Sequence, residues 1–163
     1  MTEQPIISAN EPKIVQKDAF LVAGLRYAGK NQNGEIPALW QNDFMPHWAE
    51  FTDIKLNDNC YGVCRCLAHI SPDAGFEYLA AFEVNSFDNL PDGVVGWEIP
   101  AQTYIVMQVN GLENIGSIFD SFYKEWLPNS KDYARADGPD FEFYPESFCR
   151  DQILYIYFPV QHK

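Results

Sequence analysis

The sequence predicts an α+β domain built from two copies of a strand–helix–strand–strand unit, related by a pseudo-two-fold axis, with a ligand cleft where the halves meet. Three observations predict it. Each half carries one stretch with aromatic residues at helical spacing, flanked by short β-rich stretches. The order of these stretches repeats about 80 residues later: Val22–Gly29 (VAGLRYAG) resembles Tyr104–Gly111 (YIVMQVNG), Ile36-Pro-Ala-Leu-Trp40 resembles Ile115-Gly-Ser-Ile-Phe119, and Phe76–Val84 resembles Gln152–Val160. Finally, 47% of the 163 residues are hydrophobic and 15% aromatic, enough to build a core.

Residues 1–11 form an N-terminal lead-in, and 12–163 a single domain. Ile14–Tyr27 is rich in β-formers and closes on Gly29, followed by the turn residues Lys30-Asn31-Gln32-Asn33-Gly34. Ile36–Phe51 then places Trp40, Phe44, Trp48 and Phe51 at helical spacing, with Pro37 tolerated in the first turn and Pro46 expected to kink or divide the run. Cys60–Ala68 and Phe76–Val84 read as strands joined by a turn at residues 71–75. Past the loop at Pro91-Asp92-Gly93 the order restarts. Trp97–Val109 is predicted as a strand, and Leu112–Leu127 as a helix with Ile115, Phe119, Phe122 and Trp126 on one stripe and Pro128 beyond its end. Strands follow around Asp140–Tyr144 and Gln152–Val160.

The formal net charge is −12, which repels phosphate backbones and argues against direct nucleic-acid binding. No apolar run approaches the roughly 20 residues that cross a bilayer, and the N-terminus has no secretory pattern, so a cytoplasmic location is expected, away from the membrane. Cys60, Cys64 and Cys66 alternate along one strand while Cys149 is distant. Without paired C-x-x-C spacing they read as reduced thiols, and no metal is expected; His69 near Cys66 is the weak exception. No cofactor motif is present. His47, His69 and His162 show no triad spacing, and no catalytic residue is assigned.

One stretch asks a question: Asp140-Phe-Glu-Phe-Tyr144 puts a carboxylate between two phenylalanines. Alternation sends Glu142 and Tyr144 to one face and Phe141 and Phe143 to the other. In the last strand Leu154, Ile156 and Phe158 face one way and Tyr155 and Tyr157 the other, and Tyr104 opposes Ile105, Met107 and Val109. If the tyrosine sides share one surface with Glu142, they line an aromatic cleft holding a carboxylate, which suits a lipophilic cation. Burying about 250 Å² of apolar ligand contributes roughly 6 kcal/mol before ordering costs. Each aromatic face adds about 0.5–2 kcal/mol for a cation. A structural carboxylate bonded to a tyrosine hydroxyl is the competing reading of Glu142. For Trp40 and Trp48, core packing competes with stacking on a flat ligand.

Five segments carry a family resemblance: Ile36-Pro-Ala-Leu-Trp-Gln, Trp97-Glu-Ile-Pro-Ala-Gln-Thr-Tyr, Ile118-Phe-Asp-Ser-Phe-Tyr-Lys-Glu-Trp-Leu-Pro, Asp140-Phe-Glu-Phe-Tyr and Ile156-Tyr-Phe-Pro-Val. In this order, over about Pro12–Val160, the chain resembles the GyrI-like small-molecule-binding domains, which also serve as effector-binding domains of AraC- and MerR-type multidrug regulators. The resemblance implies the duplicated fold and a glutamate in an aromatic cleft that meets cationic, lipophilic compounds. That role falls on Glu142, with Tyr104, Tyr144, Tyr155, Tyr157, Trp40 and Trp48 as ligand-binding candidates. About a dozen residues precede the matched region, so a stand-alone binder is expected rather than a regulator with its own DNA-binding domain. The resemblance also keeps two alternatives in play, a Glu142-dependent hydrolase of reactive small-molecule toxins and a protein-binding inhibitor or adaptor such as a gyrase inhibitor; a protein partner or a homodimer stays open.

Overall fold

The computed structural model describes residues 12–66 and 75–163. The lead-in over 1–11, the end of the strand expected at Ala68, the turn over 71–74 and the metal candidate His69 lie outside the described residues. Contacts divide the chain into two compact units, one of residues up to Asp18 with Ala101–Lys163, the other of Ala19–Pro100. Every described strand pairing is antiparallel, which makes the fold α+β as expected.

In the Ala19–Pro100 unit, β2 (Phe20–Gly29) lies along β4 (Phe76–Val84), with Leu21 opposite Val84 and Gly29 opposite Phe76. Strand β3 (Cys60–Cys66) flanks β4, and β5 (Val95–Ile99) flanks β2. One face of this sheet, with Ala23, Tyr78, Ala80 and Phe82, packs against Leu39, Phe44 and Phe51 of the helical run. That run begins as α1 (Glu35–Ala38), widens into a π-helical stretch (Leu39–Phe44) and tightens to 3-10 geometry (Met45–Phe51). The change falls where Pro46, which has no N–H to donate, interrupts the regular ladder.

In the other unit, β1 (Lys13–Lys17) pairs with β6 (Gln102–Asn110), and β6 with β9 (Ile153–His162). The far edge of β9 takes β8 (Asp140–Tyr144) at Tyr155–Tyr157 and the short β7 (Tyr133–Arg135) at Val160–His162. The helical run opens with a 3-10 turn (Leu112–Asn114) after Gly111, whose φ of +93° suits glycine. It continues as α2 (Ile115–Ser121), a π-helical stretch (Phe122–Trp126) and α3 (Leu127–Asn129). Phe122 stacks on Phe158 at 3.9 Å, anchoring a core with Ile105, Met107, Val109, Leu154 and Ile156. The apolar faces predicted for β6 and β9 are the ones that the helix covers.

Three boundaries depart from the sequence reading. The strand expected over Ile14–Tyr27 divides at Asp18-Ala19, and the one over Trp97–Val109 at Pro100-Ala101. Each break sends its two pieces to different units. Pro100 cannot donate to a ladder, and Asp18 is a weak strand former. Pro128 lies inside the last helical turn rather than beyond it, because the π-helical stretch absorbs its missing donor. β7 and α4 (Phe148–Asp151) were not foreseen. Gly29 and Gly111, Phe44 and Trp126, and Pro46 and Pro128 are each 82 residues apart in sequence, against 79 for the letter match of Ile36 with Ile115.

Candidate functional site

Strand β8 is five residues long, and its alternation gives two chemically different faces. On one lie Asp140, Glu142 and Tyr144; on the other, Phe141 and Phe143. Residues directly opposite in an antiparallel ladder point the same way. Glu142 stands opposite Ile156, whereas Phe141 and Phe143 stand opposite Tyr157 and Tyr155. Glu142 therefore belongs to the helix-covered face of this unit.

Glu142 as a residue is 8% exposed, and its carboxylate accepts a 2.7 Å hydrogen bond from the Tyr144 hydroxyl. The Tyr144 ring meets Phe148 edge-on at 5.1 Å. Phe148 is placed by a turn in which its N–H donates to the Pro145 carbonyl at 2.8 Å, starting α4. A buried acid thus sits beside a phenol that is itself backed by a phenyl ring, and this hydrogen bond is the one that the structural reading of Glu142 expects.

The tyrosines expected beside Glu142 divide between the two faces. Tyr144 shares its face. Tyr155 and Tyr157 lie on the opposite one, as does Tyr104, which faces Pro159 in the β6–β9 ladder. There Tyr157 stacks on Phe141 at 4.5 Å, and Tyr104 meets both edge-on at 5.5 and 5.3 Å. Tyr104 is fully buried, and its hydroxyl makes no hydrogen bond among the described residues. Burial, reinforced by the negative charge of Asp140 and by Tyr157, pushes its pKa up to about 12. The single tyrosine-lined surface expected from alternation is thus corrected by register.

Trp40 and Trp48 lie on the helical run of the other unit. The Trp40 indole donates to the Tyr78 hydroxyl at 2.9 Å, and its ring meets Phe44 at 4.9 Å. Trp48 packs on Phe44 at 5.7 Å and carries the Lys55 ammonium 3.8 Å from its ring centre, a cation–π contact within the chain. Both rings pack against that unit's core.

Sequence reasoning missed a second buried carboxylate. Asp140, 9% exposed, accepts a 2.7 Å hydrogen bond from Tyr123 and lies 3.1 Å from the Arg135 guanidinium. Burial raises its pKa, while Arg135 and the Tyr123 bond push the other way. The signal was available: Asp140 is two residues before Glu142, hence on the same face. Among the described residues no group of His, Cys, Asp and Glu forms a metal-binding cluster. A wide groove of about 570 Å³ beside Met107, Glu125, Trp126 and Lys131 shares no lining residue with Glu142 or the candidate tyrosines.

Residues 13–160 match the family described as Cass2, integron-associated effector binding protein. The chain is 32% identical over 137 residues to the transcriptional regulator BrlR of Pseudomonas aeruginosa; the match covers 83% of this chain and 48% of that protein, so the chain spans about half the length of this curated relative. Among solved structures, SAV2435 bound to tetraphenylphosphonium superposes with a TM-score of 0.74 at 15% identity, covering 92% of this chain and 93% of that one. The EcmrR C-terminal domain gives 0.67 at 15% identity, covering 92% and 96%. At such identities the structural likeness establishes the fold. No described helix is long and apolar enough to cross a membrane.

Proposed function

The chain belongs to the Cass2 family of integron-associated effector-binding proteins, with the GyrI-like effector-binding fold, and from that premise we propose that it binds lipophilic, cationic small molecules through Glu142. The observation that carries this reading is an acidic residue only 8% exposed, with the Tyr144 hydroxyl 2.7 Å from its carboxylate and the Phe148 ring packed on Tyr144. An ion held back from water interacts more strongly with an incoming charge than one in bulk solvent. Apolar contact supplies most of the affinity, and the carboxylate supplies the preference for positive charge. The tetraphenylphosphonium bound by SAV2435 is a ligand of this class, which supports the proposal by likeness of fold.

Titration of the chain with tetraphenylphosphonium and with neutral triphenylphosphine oxide tests it. The wild type is expected to favour the cation. Glu142→Gln, which keeps shape and removes charge, should cut cation affinity about tenfold or more, equivalent to at least 1.4 kcal/mol, and leave the neutral compound within about threefold. Equal losses for both ligands would remove the charge role.

A further inference from the structure

The loop that launches β8 is fastened from several sides. Arg135 donates to the carbonyls of Ala136 and Gly138, the latter at 3.0 Å, and the Gln102 amide of β6 donates to the Asp137 carbonyl. The same guanidinium approaches Asp140 Oδ1 to 3.1 Å. On the β9 side the pairing of β8 begins at Phe141, one residue after Asp140. From above, the Tyr123 hydroxyl reaches Asp140 Oδ2 at 2.7 Å. Its ring is held edge-on against Phe122 at 4.9 Å and Phe158 at 5.5 Å. Asp140 is thus tied at once to the helical run and to the loop. It shares the face of Glu142, about 7 Å along the strand at ~3.3 Å per residue.

We propose that Tyr123, Asp140 and Arg135 form a positioning network that fixes the start of β8 and, through it, the place and orientation of the Glu142 carboxylate. The inference rests on Glu142 being the group that meets the ligand. Its physical basis is directionality. An apolar residue at 140 would pack without fixing an angle, whereas a carboxylate whose Oδ2 accepts from a phenol has a preferred direction, and the Arg135 guanidinium 3.1 Å from Oδ1 adds charge, not a hydrogen bond. A buried carboxylate is costly unless so paired, which marks the position as one where geometry is specified at some expense in stability. The network acts through Glu142 and has no ligand contact of its own.

The test uses the full chain with Asp140→Ala, Asp140→Asn and Tyr123→Phe, the same two probes, and the carboxyl carbon resonance of Glu142 read by NMR. Asp140→Asn keeps an acceptor for Tyr123. It should stay within about threefold of wild type for tetraphenylphosphonium and leave the Glu142 resonance in place. Asp140→Ala should lose about tenfold in cation affinity, equivalent to 1.4 kcal/mol, with a smaller change for triphenylphosphine oxide and a displaced Glu142 resonance. Tyr123→Phe, the milder change should Asp140→Ala not fold, should move both readouts the same way. Asp140→Asn losing as much as Asp140→Ala with the Glu142 resonance in place would mean that Asp140 acts by its own charge, and an unmoved Glu142 resonance in Asp140→Ala and Tyr123→Phe would mean that it positions nothing; either overturns the proposal. A wild type that binds neither probe, or a Glu142→Gln variant that binds as wild type does, sinks the ligand reading instead, and the NMR readout still decides the network.

Discussion

Tyrosine hydroxyls in this protein do opposite things according to what they meet. Tyr123 donates to Asp140, while Tyr104 is buried with no hydrogen-bond partner among the described residues. The same deletion should therefore have opposite signs. Tyr104→Phe removes a desolvated, unpaired hydroxyl and should raise stability by about 1 kcal/mol, whereas Tyr123→Phe strips a buried carboxylate of a donor and should lower it by about 1–3 kcal/mol, both read from urea midpoints. Asp140 adds a pH signature. Burial lifts its pKa above the ordinary 3.8, so across that window the folded state holds more proton than the unfolded one. Stability contributed by this group is full below about pH 4 and lost as pH rises through the folded pKa. Subtracting the melting curves of Asp140→Asn from those of wild type at each pH isolates this slope; a difference that rises with pH over this window would show the sign to be wrong.

At the scale of elements, proline and glycine decide more than propensity does. Pro46 and Pro128 each follow a π-helical stretch by two residues, and both helical runs survive by widening ahead of the missing donor. Between β2 and β4 the limiting contact is Gly24, where an added Cβ would lie 1.8 Å from the Ala80 carbonyl oxygen. Backbone cannot yield as a flexible side chain does. Gly24→Ala should cost about 3 kcal/mol, seen as a lower urea midpoint with an unchanged m-value. The element order, the helical stripes and β4 and β8 in full were legible in the sequence. The two split strands were not. Continuous β-formers hide a break when the two sides pair with different partners, and only Asp18-Ala19 and Pro100-Ala101 mark it.

For the molecule as a whole, a net charge of −12 on 163 residues sets a long-range repulsion that folding concentrates. The screening length falls from about 30 Å at 0.01 M salt to about 3 Å at 1 M. Raising sodium chloride across that range should lift the melting temperature by a few degrees, where a chain held mainly by surface ion pairs would melt earlier. The same charge gives cationic ligands a general attraction that is screened away by salt. The discrimination due to a sheltered Glu142 should persist at 0.5 M, so repeating the two-probe titration there separates the site from the overall field.

By itself, the chain of residues determined that Glu142 and Tyr144 share a side, that Tyr155 and Tyr157 share a side, and that β6 and β9 each turn an apolar face to a helix. Those statements need only a period of two within one strand. Whether the two sides coincide depends on how β8 is registered against β9, and a shift of one residue exchanges every face. The tertiary structure made that choice by setting Glu142 opposite Ile156 and Phe141 opposite Tyr157. It also brought Tyr123 and Arg135, 17 and 5 residues away from Asp140 in sequence, onto one carboxylate. Alternation is a property of a single strand, but registration and burial are properties of the pair and of what packs on it, so they came only with the fold.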